Sequence, residues 1–368
     1  MKYKFINRLF PKRFDKYWRQ IENSKNIDDT LRHITNGFIN SKSYKFVSNY
    51  WHVLNIDNYK SLSMFGMKKY GSTIARNYYT FTRIYHDEWF DETVNNLKDY
   101  PFKIDSLEVF KKQDGFTLEE SINYNYLCYL LFYTLKKTDN FQNINKLKDK
   151  AYLEFNDPYI KIENINVTTD KIASLLDYGK ISKAFEIKKF NKLLEVGAGS
   201  GRTCEAILSL EKNLKYTICD IAPAIYVSYK RLKLAFPNKK ISLLIDVNDK
   251  IKLEEKIENS DIAFIFPHQL EILSKKSFDL ILAIDCMHEM DKSTIRYYFN
   301  LFNNISTNFY LSIWSKTDVP YSKNIFKKKN ILDFNAGDYK IPNNWKNIYK
   351  ERIAFPSNML ALGFEIKE

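Results

Sequence analysis

The feature that most narrows what this chain can fold into is the run Leu193-Leu-Glu-Val-Gly-Ala-Gly-Ser-Gly-Arg-Thr203. An apolar strand leads straight into Gly197, Gly199 and Gly201, and a helical stretch follows. Glycines at such a point let the backbone turn sharply and come close to a ligand with no Cβ in the way. Short apolar runs alternate with helical stretches around it. The strand candidates are Lys192–Val196, Lys215–Asp220, Ile241–Ile245, Ile262–Phe266, Asp279–Asp285 and Phe309–Trp314, with helix candidates at 202–212, 222–236 and 292–305. That alternation builds a parallel sheet covered on both faces, an α/β architecture. Arg352–Phe355 and Leu360–Ile366, around Pro356-Ser-Asn, read as a closing antiparallel hairpin.

The texture changes near residue 160. Residues 170–187 read as a helix with Asp170 as its N-cap, whose carboxylate satisfies free backbone N–H groups. Upstream the chain reads as mostly helical. Tyr124-Asn-Tyr-Leu-Cys-Tyr-Leu-Leu-Phe-Tyr133 is apolar nearly all round, the mark of a buried helix. The expected division is therefore a mainly helical N-terminal domain, 1–165, and an α/β domain, 166–368. Only 10 Gly and 9 Pro in 368 residues weigh against an all-β chain. The four cysteines, Cys128, Cys204, Cys219 and Cys286, form no CxxC pair, so neither a zinc site nor any other metal site is expected. No apolar run approaches the roughly 20 residues that span a bilayer, and no signal peptide is evident. A reducing cytoplasm is the expected setting.

The net charge of +13 permits phosphate, lipid or acidic-glycan partners, but the excess is diffuse except at the start. Residues 1–20 hold Lys2, Lys4, Arg8, Lys12, Arg13, Lys16 and Arg19 against Asp15, with Phe5, Leu9, Phe10, Phe14 and Trp18 interleaved. Two readings fit this stretch, a helix lying on a membrane surface and a solvated helix docked on the domain.

The glycine spacing indicates the ligand. A dinucleotide fingerprint reads G-x-G-x-x-G, whereas this loop reads G-x-G-x-G with Glu195 two positions ahead. A carboxylate there disfavours a pyrophosphate and suits an ammonium group, which fits the aminoacyl end of S-adenosylmethionine (SAM). Asp220 ends the next strand candidate, with Ile221 after it, and an acidic group at that point can accept both ribose hydroxyls. Glu195, Gly197, Ala198, Gly199, Gly201 and Asp220 form the expected cofactor set. Arg202 and Thr203 follow at the helix start, where Arg202 can pair with the cofactor carboxylate. Thr169 and Asp170 are placed to close over the pocket. After the third principal strand comes Phe266-Pro-His-Gln-Leu-Glu271, in which Gln269 can accept from the adenine amino group and His268 can stack or bond nearby.

Residues 165–368 resemble the class I SAM-dependent methyltransferases, which implies a Rossmann-like, mainly parallel seven-stranded sheet with SAM across its carboxyl ends. A narrower resemblance rests on an ordered series. It comprises Gly197-Ala-Gly-Ser-Gly-Arg-Thr203, Tyr216-Thr-Ile-Cys-Asp-Ile-Ala-Pro-Ala-Ile-Tyr226, Phe266-Pro-His-Gln-Leu-Glu271, Ser277-Phe-Asp279 and Met287-His-Glu-Met290. The series is similar to a family of sugar O-methyltransferases found with bacterial surface-polysaccharide genes. Val167-Thr-Thr-Asp-Lys-Ile-Ala-Ser174 and Phe65-Gly-Met-Lys-Lys-Tyr-Gly-Ser-Thr-Ile-Ala-Arg-Asn-Tyr78 also look similar to stretches ahead of that family's core. The resemblance implies methyl transfer to a sugar or glycan hydroxyl, free, nucleotide-linked or lipid-linked.

A sugar hydroxyl is a poor nucleophile until its proton leaves, so a positioned base contributes about 10²–10⁴-fold. Its place is beyond the fourth principal strand, where Asp285, His288 and Glu289 are the ionisable groups. His288 is the expected base, because an unperturbed imidazole titrates near working pH, with Glu289 or Asp285 orienting it. A Mg²⁺-assisted version would use Asp285 and Glu289, but few carboxylates cluster there. The helical half is expected to supply specificity, with Trp51, Tyr70, Tyr78, Tyr79 and Trp89 as stacking candidates and His52 and Arg76 as polar ones. A nucleic-acid methyltransferase is the first alternative, yet Asp285-Cys-Met-His288 stands where amino-methylating enzymes of that class carry [DN]-P-P-[YW]. A SAM-binding module without catalysis is the second.

Overall fold

The computed structural model describes residues 14–78, 88–98, 103–148, 150–319, 331–353 and 359–367. In chain order its strands are β1 (Ile160–Ile162), β2 (Ile165–Val167), β3 (Lys192–Val196), β4 (Lys215–Cys219), β5 (Ile241–Leu243), β6 (Ile262–Ile265), β7 (Leu280–Ile284), β8 (Asn308–Trp314), β9 (Lys316–Thr317), β10 (Leu332–Asp333), β11 (Trp345–Ile353) and β12 (Met359–Ile366). Eight of them form one sheet in the order β11-β12-β8-β7-β3-β4-β6-β5. The pairs from β5 to β8 are parallel, and β12 is antiparallel to both β8 and β11. The resemblance implied seven strands, whereas eight are present. The strand candidates themselves already amounted to eight, with the short β5 at the edge beside β6.

The sheet is apolar on both sides because helices cover both faces. Leu193, Ile218, Leu280 and Leu282 belong to one core, while Leu194, Val196, Ile281 and Ala283 belong to the other. Side chains alternate along a strand, so Glu195 shares the face of Leu193. The order reverses at β3, since β4 lies on one side of it and β7 on the other. That switch point opens a crevice at the carboxyl ends, where ligands bind in open α/β sheets.

The N-terminal helices are continuous with the sheet's first core. Phe14, Trp18, Phe38 and Tyr59 pack in the same cluster as Ile218, Ile225 and Phe264. Residues 1–13 of the basic N-terminal stretch lie outside the described residues. In its described part, helix Phe14–Ile21, Phe14 and Trp18 are buried. These two aromatics therefore serve docking and are not available to a bilayer. Among the described residues no helix is long and apolar enough to cross a membrane.

The helix Leu118–Lys136 starts with a capping box of Thr117 and Glu120 and buries Tyr124 through Tyr133 apart from Tyr126. It packs on helix Thr169–Ala184 through a third core that includes Leu127, Leu131, Ile172 and Leu175. The cap of that second helix differs from expectation. Thr168, not Asp170, is its N-cap, and its side chain accepts from Lys171 N. Asp170 sits inside the first turn, buried, with Oδ2 accepting from Ser200 Oγ at 3.4 Å. Neither Thr169 nor Asp170 lines the crevice.

Candidate active site

The crevice is a cavity with about 930 Å³ of empty space. Its floor is the loop between β3 and helix Arg202–Leu210. Gly197, Gly199 and Gly201 have φ of 73°, 56° and 79°, the left-handed region that favours glycine. A Cβ on Gly197 would lie 2.6 Å from Cys286 Cβ, and one on Gly199 would lie 3.3 Å from the Tyr78 ring. Glycine is therefore required twice at the first position, by conformation and by space.

At the end of β3, Glu195 faces the cavity and accepts a hydrogen bond from Tyr216 OH at 2.9 Å. Burial pushes its pKa up to about 7, against the lowering effect of Tyr216, Arg202 and Thr203. Beyond β4, Asp220 accepts from Gly199 N at 2.8 Å and Ile221 N at 2.7 Å. Burial raises it to about 7 as well. Ala198, Arg202, Thr203 and Ile221 join the lining. Arg202 is already engaged, with Nη1 2.8 Å from Asp177 Oδ2 and 3.3 Å from Ser174 Oγ.

The opposite wall differs from expectation in its choice of residue. Asp285 ends β7 with φ of 57°, an uncommon conformation for an aspartate. Asp285 and Glu289 line the cavity, and His288 does not. His288 is 1% exposed and stacks on Trp314 with ring centroids 5.0 Å apart. Its Nδ1 accepts from Trp314 N at 3.4 Å, and its Nε2 faces Asp285 Oδ1 at 3.4 Å. Burial lowers its pKa to about 3, so the ring is neutral and directs an N–H toward Asp285. Asp285 is raised to about 7 by burial, and Glu289 is pushed well above the usual carboxylate range by burial and by Asp285. Trp51 Nε1 donates to Glu289 Oε2 at 2.8 Å.

The residues proposed for adenine are likewise placed elsewhere. Gln269 is fully buried, its Oε1 accepting from Phe266 N and its Nε2 donating to Leu244 O and Val247 O. It ties the Phe266–Glu271 turn to the segment after β5 and does not line the cavity. His268 bonds Ser43 Oγ through Nδ1 at 2.8 Å and Asn248 Oδ1 through Nε2 at 3.2 Å, again away from the cavity. Pro267 is the member of that turn that lines the cavity.

Of the aromatic candidates in the helical half, Trp51 and Tyr78 line the cavity and stack with centroids 5.6 Å apart. Tyr70 lies behind Tyr78 and outside the cavity. Tyr79 and the Trp89 side chain lie outside the described residues. His52 packs against Phe14 and Tyr44, and Arg76 lies over Phe116 with Nη2 donating to Gly115 O. Phe46, Ser48 and Tyr298 complete the wall and were not singled out in the sequence. Ser48 caps helix Asn49–Phe65 by accepting from Trp51 N, a cap signal legible in Ser48-Asn-Tyr-Trp51. Among the described residues no group of three or more His, Cys, Asp or Glu side chains is arranged to hold a metal ion.

The donor set fits SAM on the structure's own terms. A backbone cradle that a Cβ would fill meets one buried carboxylate suited to an ammonium and another at the ribose position. Residues 194–305 match the model of a family described as a methyltransferase domain. No curated protein matches the chain. Among solved structures, the chain is 14% identical to the methyltransferase domain of bacterial CtHen1, covering 51% of this chain and 97% of that one, with a TM-score of 0.35. It is 12% identical to Thermoplasma acidophilum protein 1320 over 54% and 90%, with a TM-score of 0.34. It is 13% identical to NcsB1, an O-methyltransferase of neocarzinostatin biosynthesis solved with S-adenosylhomocysteine (SAH) and a dihydroxynaphthoic acid, over 54% and 57%, with a TM-score of 0.35. Residues 194–305 are thus similar to a methyltransferase domain, and the glycine cradle with Glu195 and Asp220 fits S-adenosylmethionine as its methyl donor.

Proposed function

We propose that the chain is an O-methyltransferase acting on the hydroxyl of a sugar, in the assembly of a glycan such as a bacterial surface polysaccharide. The observation that carries this reading is Asp285, a carboxylate in the cavity wall, with pKa near 7 and set in a left-handed conformation at the end of β7. Bound SAM supplies a methyl group already activated by its sulfonium. What remains for the protein is to align the acceptor oxygen and take its proton. Asp285 is ionised in a useful fraction at neutral pH, which suits a base. His288 acts through it as a positioning residue, because its N–H faces Asp285 Oδ1. Glu289, held by Trp51, has its pKa raised by burial and by Asp285, which favours the protonated form that can donate to an acceptor oxygen. Trp51 and Tyr78 offer flat apolar faces, the surface that a sugar's C–H face stacks on.

The test is methyl transfer from labelled SAM to free, nucleotide-linked and lipid-linked sugars, repeated with Asp285→Asn. A drop in kcat/KM of about 10²–10⁴-fold is expected, with SAH affinity held within about threefold. Wild-type turnover in that variant would remove Asp285 as the base. Tight SAH binding with no transfer to any hydroxyl acceptor would favour a binding module instead.

A further inference from the structure

Glu195 is held from the neighbouring strand. β3 and β4 pair in parallel, with Leu193 opposite Tyr216 and Glu195 opposite Ile218. Tyr216 therefore starts two residues below Glu195 on the same face of the sheet, the face of Leu193. Its ring runs up that face toward the carboxyl ends, and its hydroxyl donates to Glu195 Oε2 at 2.9 Å. Glu195 lines the cavity and Tyr216 does not, so the phenol holds the carboxylate from behind.

Among the described residues this is the only hydrogen bond the Tyr216 hydroxyl makes. The side chain is 1% exposed and packs in the core with Leu193, Ile207 and Ile218. A phenylalanine would fill that space without taking a polar atom out of water. The cost of the hydroxyl is offset by the group it meets, since a hydrogen bond to an ionised carboxylate is stronger than one to a neutral acceptor. The other groups around Glu195 support its charge less. Burial opposes that charge, the Tyr216 bond is the largest effect favouring it, and Arg202, which already holds Asp177, and Thr203 add smaller ones. Asp220 opposes the charge, and the buried thiols of Cys204 and Cys286 stay neutral. Burial and the same carboxylate push the Tyr216 hydroxyl well above its ordinary pKa, so it remains a donor.

We infer that Tyr216 is a positioning residue for the aminoacyl end of the cofactor, holding the Glu195 carboxylate toward the ammonium in its ionised form. The inference rests on the reading of the cavity as a SAM site. Tyr216 touches no ligand and acts through Glu195 alone. Its hydroxyl should therefore matter only for ligands that carry the ammonium, and only where Glu195 is not already ionised. Glu195 titrates at about 7 in the empty site. Losing a hydrogen bond worth about tenfold raises that value by about one unit, so binding suffers most at acid pH.

The experiment is calorimetric titration of the full chain with SAH and with 5′-methylthioadenosine, which lacks the aminoacyl end, at pH 6.0 and pH 8.5. The proteins are the wild type, Tyr216→Phe, Glu195→Gln and the double variant. Tyr216→Phe should bind SAH about ninefold more weakly than the wild type at pH 6.0 and less than about twofold more weakly at pH 8.5. It should bind 5′-methylthioadenosine within about twofold of the wild type at both. In the Glu195→Gln background the same substitution should change SAH affinity by less than about twofold, since the charge that the phenol supports is gone. Unchanged SAH affinity in Tyr216→Phe at pH 6.0 would overturn the inference. So would a loss of equal size at both pH values, or an equal loss for 5′-methylthioadenosine, because either is the mark of a general distortion of the sheet. A folded wild type that fails to bind SAH would instead defeat the reading of the cavity as a SAM site.

Discussion

Cofactor binding should release protons, and Glu195 should be their main source. The empty site holds Glu195 at a pKa of about 7, because burial penalises its carboxylate more than Tyr216, Arg202 and Thr203 support it. An ammonium beside it favours the charged form, so the pKa falls on binding and the proton leaves. The sign follows: where the empty group is protonated, binding costs a deprotonation, and affinity rises with pH. For a pKa of about 7 that falls below about 4.5 in the complex, affinity should rise about 15-fold between pH 5.5 and 7.0, or about 1.6 kcal/mol. About one proton per site should be released at pH 5.5 and about half of one at pH 7.0. Asp220 starts from a similar value, but its partner is a neutral hydroxyl, so its share is smaller. The assay is SAM calorimetry across that range in buffers of different ionisation enthalpy, with the wild type and Glu195→Gln. The variant should lose most of the proton release and most of the pH slope. Wild-type proton release from Glu195→Gln would refute the placement of the ammonium at Glu195.

Two further substitutions separate cofactor contacts from structural ones. Gly197→Ala introduces a Cβ 2.6 Å from Cys286 Cβ at φ of 73°, so strain and overpacking together should cost about 2–4 kcal/mol. Denaturant unfolding checks this, and a loss below about 1 kcal/mol would show that the loop and Cys286 separate easily. Gln269→Leu removes three hydrogen bonds, two of them buried, and leaves Phe266 N, Leu244 O and Val247 O to find new partners. It should destabilise the fold by about 2–5 kcal/mol yet leave SAH affinity within about threefold. A selective loss of SAH affinity with unchanged stability would restore Gln269 to the adenine site.

That Glu195, the glycine loop and Asp220 gather around one cavity was legible because their signals are local. The glycines, Glu195 and Asp220 are fixed by the exits of two adjacent strands, and β3 and β4 pair in the register Glu195 to Ile218 and Val196 to Cys219. Strand ends are short-range facts, so spacing alone carries them. The acceptor half was misread where the answer depended on direction. His288 and Asp285 lie three residues apart, and no pattern in Asp285-Cys-Met-His288 says which one faces the cavity. The left-handed turn at Asp285 decides it by sending the following short helix, Met287–Glu289, back under Trp314. Gln269 was misread for a related reason. Its type suits an adenine, but the backbone groups that claim it come from Leu244 and Val247, more than twenty residues away. Trp51 and Tyr78 were named only among many aromatics, because their neighbours Glu289 and Gly199 are over a hundred residues distant.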